Sequence, residues 1–143
     1  MEGICIKIAI FGSSGHIAKS LINSFSGDTS KELVLFSRSK PSSYTLFPTE
    51  KYDVVINCVG IGDPAMVEKS GTRIMFLTEE YDNKVLNYLE SRPETKYINL
   101  SSGIVHTTFN IDRITKQHCY QMSKMNAEVK HRALSHLNIV DLR

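Results

Sequence analysis

The sequence has little of the charge asymmetry that marks a nucleic-acid-binding protein. Its 143 residues carry 17 lysines and arginines against 15 aspartates and glutamates. The basic residues are spread along the chain rather than gathered in blocks. Proteins that bind a phosphate backbone usually have such blocks. We therefore expect no nucleic-acid partner.

Cysteine is scarce as well. Cys5, Cys58 and Cys119 lie far apart and match neither a CxxC motif nor the spacing of zinc ligands. The histidines form no ligand set with acids or cysteines at metal spacing, and we expect His131 and His136 to be solvated on the last helix. These features predict no metal site and a reducing, cytoplasmic setting.

Long apolar segments are also missing. Glu2 and Lys7 interrupt the apolar run near the amino terminus, so it resembles neither a signal peptide nor a membrane span. There is no internal repeat or low-complexity segment. With 41% hydrophobic residues, a chain of this length can bury the core of one soluble domain.

What the sequence does contain is an alternation of apolar strands and amphipathic helices. We predict strands over 4–11, 33–36, 52–59, 96–100 and 138–143, with a small edge strand possible over 44–47. Helices are predicted over 17–27, 75–89 and 116–137. The alternation predicts an α/β fold with a doubly wound parallel sheet, the Rossmann fold, and right-handed crossovers.

The segment IAIFGSSGHIAKSL places a glycine turn between the first strand and the first helix. Gly12 permits the tight turn, Gly15 lets the backbone approach a ligand closely, and Ala18 lets the helix pack on the strand. The amino end of the helix can then hold a pyrophosphate. A glycine turn without a ligand is the alternative, but this strand-to-helix position favours a dinucleotide.

The end of the second strand bears on which dinucleotide is bound. An NAD site normally has an acidic residue there for the ribose 2′-hydroxyl, whereas this sequence has Phe36-Ser37-Arg38. An arginine can pair with a 2′-phosphate and stack on adenine. Arg38, helped by Ser37 and Lys40, therefore favours NADP over NAD, with a merely solvated arginine as the alternative.

The segment HCYQMSKMNAE predicts a helix with Tyr120 and Lys124 on one face. An ammonium lowers the pKa of a nearby phenol from about 10, so that it can exchange a proton with a substrate hydroxyl or carbonyl. Ser101 and Ser102 follow the strand over 96–100, at the edge where open α/β sheets bind ligands. A hydroxyl there can orient the reacting oxygen. A chance pairing on a surface helix is the alternative for Tyr120 and Lys124.

Four motifs, in order, resemble the extended short-chain dehydrogenase/reductases, the branch of nucleotide-sugar epimerases, dehydratases and reductases. The glycine turn is similar to Gly-x-x-Gly-x-x-Gly, and YDVVINCVG is similar to an Asp-x-Val-Ile strand with a small-residue turn. INLSSGIVH is similar to a Ser-Ser strand end and YQMSK to Tyr-x-x-x-Lys. The resemblance covers nearly the whole chain. It implies reversible hydride transfer between NADP(H) or NAD(H) and a sugar carbon, by an epimerase first and a reductase or dehydratase next.

The resemblance also implies roles for individual residues. Tyr120 would be the general acid/base, Lys124 would bind the nicotinamide ribose, and Ser102 would polarise the substrate oxygen, with Ser101 as the alternative. The implied cofactor contacts are Gly12, Ser14, Gly15, His16 and Ile17 at the pyrophosphate, and Cys58, Val59 and Gly60 at the adenosine and ribose. A homodimer is implied, formed by the helices over 75–89 and 116–137.

The sequence departs from the family pattern at several places. The third glycine is Ala18, the usual asparagine of the helix after the fourth strand is Tyr81, and the connection before the strand over 52–59 is too short for the usual helix. The short connection predicts an open adenine side. We expect residues 1–143 to form an NAD(P)-binding Rossmann domain, truncated after a sixth strand, with the substrate domain absent.

Two further functions stay open at this point. The chain can be a non-catalytic NADP-binding module that senses redox state or acts through a partner. It can also be an inactive fragment of a longer enzyme.

Overall fold

The computed structural model describes residues 3–143. They contain five strands: β1 (Ile6–Phe11), β2 (Lys31–Phe36), β3 (Val54–Asn57), β4 (Lys96–Leu100) and β5 (Ile139–Leu142). The helices are α1 (His16–Phe25), α2 (Ser42–Leu46), α3 (Pro64–Ser70), α4 (Arg73–Ser91) and α5 (His118–Ala133). Every strand pair is parallel. The predicted α/β class with a doubly wound parallel sheet is confirmed.

The strand order is β2-β1-β3-β4-β5. From β1 the chain moves to one side of the sheet to form β2, and then returns past β1 to form β3, β4 and β5 on the other side. The order therefore reverses between β1 and β3. In open α/β sheets the ligand crevice lies at such a reversal, beyond the carboxyl ends of the strands.

Successive residues of β1 face opposite sides of the sheet, and both sides are buried. On one side Ile8 and Ile10 pack with Ala18 of α1, and Phe25 lies partly buried against them. On the other side Ala9 and Phe11 belong to a larger cluster that includes side chains of α4. A strand covered on both faces needs a continuous apolar run, which explains the composition of residues 8–11.

The segment 44–47, for which a small edge strand was possible, is helical instead. Tyr44 lies in α2 and Phe47 begins a short 3₁₀ turn, and both are buried, whereas Leu46 is 62% exposed. Residues three apart share a face of a helix but not of a strand, so helical spacing determines which side chains are buried. The sheet therefore has five strands, not six, within the described residues.

Three other helices differ in extent from the sequence predictions. The short α3 was not predicted. Its amino end is capped by the side chain of Asp63, which accepts a hydrogen bond from the backbone of Met66 at 2.9 Å, and Pro64 is its first residue. The helix α4 is longer than predicted at both ends, and α5 is shorter.

The 3₁₀ turn after α2 places Phe47 at the centre of an aromatic cluster. Its ring centroid lies 4.7 Å from that of Phe11, 4.6 Å from that of Tyr88 and 5.4 Å from that of Tyr52. Only 1% of Phe47 is exposed. This cluster closes the sheet face beside the edge strand β2, where the connection to β3 holds no full-length helix.

We predict that Phe47→Ala lowers the free energy of unfolding by about 3–5 kcal/mol, because the truncation leaves a cavity among rings that cannot all collapse into it. The matched control is Leu46→Ala at the exposed neighbouring position, which should cost less than about 0.5 kcal/mol. Urea unfolding of the three proteins measures both values. Equal losses in the two variants would show that Phe47 is not a core residue.

Candidate functional site

The glycine turn after β1 is held against the turn after β3. Gly12 has a φ of +71°, and a Cβ built there would lie 3.1 Å from the carbonyl carbon of Cys58 and the backbone nitrogen of Val59. Only glycine fits a position that combines a left-handed backbone with such close backbone neighbours. Gly15 precedes α1, whose first turn has no acidic residue. The amide groups at this helix end are therefore available to an anion.

A cavity of about 80 Å³ lies at this point, where the strand order reverses. Its wall contains seven of the predicted cofactor residues, together with Leu77 of α4: Gly12, Ser14, Gly15, Arg38, Cys58, Val59 and Gly60. The structure thus brings together residues from the turns after β1, β2 and β3.

The other five predicted cofactor residues lie outside this wall, and two of them, Tyr120 and Lys124, belong to α5. His16 and Ile17 begin α1 and are exposed, with 56% of Ile17 accessible to solvent. The Ser37 hydroxyl donates to the Ser14 hydroxyl at 3.4 Å, so Ser37 contacts a residue of the wall.

Tyr44 is a residue of this region that sequence reasoning missed. Its hydroxyl donates a hydrogen bond to the carbonyl of Phe36 at 3.1 Å and accepts one from the backbone N–H of Gly12 at 3.3 Å. Burial raises the pKa of Tyr44 to about 12, so the hydroxyl keeps its proton. Tyr44 therefore ties the glycine turn to the end of β2. Its helical spacing from Phe47 was the available signal.

Tyr120 and Lys124 project toward the same edge of the sheet. The Lys124 ammonium donates to the carbonyl of Leu100 at 2.6 Å, at the end of β4. It lies 5.8 Å from the centre of the Tyr120 ring. A Cβ on Gly60 would be 3.1 Å from Lys124 Nζ, and a Cβ on Gly62 would be 3.5 Å from Tyr120 Oη. The loop after β3 therefore runs directly past both functional groups.

The environment of Lys124 changes its acidity. Burial lowers the pKa of Lys124, and the negative charges of Asp82 and Asp141 offset part of that effect. Burial likewise raises the pKa of the neighbouring Cys58 thiol to about 11, so Cys58 is a neutral thiol at neutral pH. The ammonium of Lys124 is thus the positive charge beside Tyr120.

The two serines after β4 have different partners. The Ser101 hydroxyl donates to Glu128 Oε1 at 2.5 Å, and Glu128 also pairs with Arg143 at 2.6 Å. The Ser102 hydroxyl accepts from the backbone N–H of Ile104 at 3.3 Å, which caps a 3₁₀ turn. Within residues 3–143 no acceptor takes the proton of Ser102. The Ser102 hydroxyl can therefore donate to a ligand while the Ser101 hydroxyl is already engaged.

A buried polar network reaches the cavity wall from the far side of the sheet. Asn57 accepts a hydrogen bond from the backbone N–H of Val59 at 3.0 Å and donates to the Tyr97 hydroxyl at 2.9 Å. Tyr97 in turn donates to Asp82 Oδ1 at 2.8 Å. His131 Nε2 lies 2.8 Å from the same carboxylate oxygen. The turn that lines the cavity is thus connected to α4 and α5.

His131 is buried, so the expectation that it would be solvated was wrong, whereas His136 is exposed as expected. The His131 Nδ1 atom lies 2.7 Å from Asp141 Oδ1. Burial alone would lower the pKa of His131, but the hydrogen bonds to Asp141 and Asp82, with their charges, raise it to about 9. Lys130 Nζ lies 2.8 Å from Asp82 Oδ2 as an ion pair outside hydrogen-bond geometry. Two cations therefore face the Asp82 carboxylate.

The described residues group no three histidine, cysteine or acidic side chains as a metal site would require. Among them, we also find no helix with the length and apolar character needed to cross a bilayer.

Several solved structures are similar to this chain. A GDP-D-glycero-L-gluco-heptose synthase from Campylobacter jejuni, solved in the presence of NADPH, matches 99% of this chain and 47% of its own, at 14% identity and a TM-score of 0.76. RMD from Pseudomonas aeruginosa, complexed with NADPH, matches 100% of this chain and 53% of its own, at 18% identity and a TM-score of 0.73. This chain has their Rossmann-like fold.

A third similar structure is the UDP-Glc/GlcNAc 4-epimerase from Campylobacter jejuni, with 15% identity, a TM-score of 0.73, and coverage of 96% of this chain and 53% of that one. The chain spans about half the length of the structures that it matches. No protein-family model matches the sequence, and no curated protein matches it either. The resemblance to the extended short-chain dehydrogenase/reductases is confirmed at the level of the fold.

We predict that Gly12→Ala destabilises the fold by about 3 kcal/mol, because a left-handed backbone and a crowded Cβ both oppose the substitution. The matched control is Gly27→Ala, where φ is +85° but a Cβ would meet nothing within 4 Å. That change should cost about 1 kcal/mol, from the backbone alone. Urea unfolding separates the two, and similar losses would mean that the contact with the Cys58–Val59 turn is unimportant.

We predict that His131→Gln destabilises the protein most at low pH. A folded-state pKa of about 9 against an ordinary 6.5 means that the stabilisation by protonated His131 is fully present below pH 6.5 and is lost as the pH rises through 9. The difference in unfolding free energy between wild type and variant should therefore shrink across that range. His136→Gln is the control and should show no such trend. A difference independent of pH would contradict the protonated state.

Proposed function

We propose that this chain is the dinucleotide-binding part of an NADP(H)-dependent nucleotide-sugar oxidoreductase that works as an epimerase or a reductase. The observation that supports this proposal most is the position of three side chains at the carboxyl edge of the sheet. Tyr120 and Lys124 of α5 meet the loop after β3, and the glycine turn forms its cavity at the same sheet edge. Ser102 follows β4, whose last carbonyl accepts a hydrogen bond from Lys124. The proposed catalytic residues would thus lie beside the proposed cofactor site.

The residues fit a dinucleotide. A cofactor needs close access to the backbone, and three glycines without side chains line the cavity: Gly12, Gly15 and Gly60. The amino end of α1 offers its amide groups to a pyrophosphate. Arg38 adds a positive charge at the end of β2, where an NAD site would normally have a carboxylate.

The bound cofactor would supply a hydride donor or acceptor, and the chain's own groups would manage the proton. In reduction of a keto sugar, Tyr120 Oη would give its proton to the carbonyl oxygen as hydride reaches the carbon, and in oxidation it would take that proton back. The Lys124 ammonium would stabilise the phenolate. The Ser102 hydroxyl would donate a hydrogen bond to the same substrate oxygen and so orient it toward Tyr120.

The choice of reaction follows from the choice of cofactor. An epimerase oxidises and then reduces the same sugar, so its cofactor is regenerated on the enzyme. A reductase consumes one reduced cofactor in each turnover. Arg38, at the strand end where an NAD site would normally have a carboxylate, favours NADP(H), and two similar structures were solved with NADPH. Reduction of a nucleotide-linked keto sugar is therefore the reaction type that this pocket supports best, with epimerisation next.

We predict that the protein binds NADPH and that Tyr120→Phe keeps this binding while lowering turnover of nucleotide sugars by about 10²- to 10⁴-fold, because the proton donor is lost. Fluorescence titration measures the binding, and cofactor oxidation with a panel of nucleotide-linked keto sugars measures the turnover. Absence of NADPH and NADH binding would refute the proposal. Binding with no turnover in the wild type would favour a non-catalytic module instead.

The adjacent serines provide a matched test of orientation. Ser102→Ala should lower turnover by about 10- to 100-fold through loss of a hydrogen bond to the reacting oxygen. Ser101→Ala removes a hydroxyl that is engaged with Glu128 and should leave turnover within about twofold. The opposite ranking would assign the substrate contact to Ser101.

A further inference from the structure

A second cavity adjoins the candidate cofactor cavity. Its volume is about 450 Å³, and it shares Arg38 and Leu77 with the smaller cavity. It extends from these two residues toward α3 and the first two turns of α4. Whatever occupies the cofactor cavity near Arg38 can therefore reach this space. Sequence reasoning assigned no role in cofactor binding to its other residues.

Three cations from three different elements line this second cavity. Arg38 follows β2, Lys69 lies in the last turn of α3, and Arg73 is the first residue of α4. Gly71 has a φ of +53° and lies between α3 and α4, at the bend that brings Lys69 and Arg73 to the same wall. All three side chains belong to exposed residues, so their charges are accessible to a ligand.

The acidic residues nearby do not neutralise these cations. Within residues 3–143 none of the three forms an ion pair. Glu80 is the one carboxylate among the residues that line the cavity. It lies 3.7 Å from Lys84, one turn further along α4, so its charge is partly offset. The wall keeps a net positive charge beside the proposed cofactor cavity.

The same wall carries exposed apolar groups. Phe76 is 71% exposed and Met66 is 46% exposed, and both lie beside the cations. A ligand that combines a flat apolar base with a phosphate would match this combination. The ring and thioether can contact the base, and the guanidinium and ammonium groups can bind the phosphate oxygens.

We propose that Lys69 and Arg73 complete, with Arg38, a site for the phosphate on the adenosine ribose of NADP(H). This inference rests on the proposed function and adds two specificity-determining residues to it. A phosphate monoester carries a charge of about −1.5 to −2 at neutral pH, which one exposed arginine would balance only in part. Cations on α3 and α4 supply the remainder from the side opposite β2.

The test compares NADPH with NADH, which differ only in that phosphate. Lys69→Gln and Arg73→Gln should each weaken NADPH binding by about fivefold and the double variant by about 25-fold, while NADH affinity stays within about twofold. Lys96→Gln and Arg113→Gln are the controls, since both residues are exposed and neither lines the cavity. They remove the same charges elsewhere and should change neither affinity.

A competition experiment identifies the group that is recognised. Adenosine 2′,5′-bisphosphate should displace NADPH more strongly than adenosine 5′-monophosphate from the wild type, and this preference should fall in the double variant. Unchanged NADPH affinity in the double variant, or equal weakening for NADPH and NADH, would overturn the assignment of Lys69 and Arg73. The proposed function would survive either result. Only a wild type that binds neither dinucleotide would refute both.

Discussion

The structure depends on the buried carboxylate of Asp82. It accepts hydrogen bonds from Tyr97 of β4 and His131 of α5 and forms an ion pair with Lys130, so one side chain of α4 joins three elements. His131 reaches on to Asp141 of β5. A buried charge with these partners is tolerated, whereas a buried charge that loses its partner costs about 3–5 kcal/mol. The network therefore fixes how α4 and α5 sit on the sheet.

The same network determines the shape of the site. The Tyr97 hydroxyl accepts a hydrogen bond from Asn57. Asn57 in turn accepts one from the backbone N–H of Val59, in the turn that faces Gly12. That turn is in contact with the Lys124 ammonium on its other side, through Gly60. The hydrogen bonds of Asn57 and Tyr97 thus hold the glycine cavity in position relative to Tyr120 and Lys124. The Asp82 network therefore contributes both to the stability of the fold and to the geometry of the candidate site.

Patterns within a few neighbouring residues predicted the strands and the turns that such short segments determine. The apolar runs identified the strands, and motif positions identified the glycine turn and the Tyr120–Lys124 pair. The errors concern partners distant in sequence. His131 was placed in solvent because its partner Asp82 lies 49 residues away. Tyr44 was missed because a short apolar segment fits a strand and a helix equally well until its neighbours are known.

The short connection between β2 and β3 affects the surroundings of Arg38, where the adenosine of the proposed cofactor would lie. It holds only α2 and a 3₁₀ turn, so β2 stays at the edge of the sheet and Arg38 at its end remains exposed. Within this connection, Phe47 packs in the core and Tyr44 anchors the glycine turn. Among the described residues, no further helix of the connection is left that could enclose a nucleotide. For the proposed cofactor, the enclosure would then come from the opposite wall. There α3 and the start of α4 provide Lys69, Arg73 and Phe76, whose charges and exposed ring would replace the missing cover.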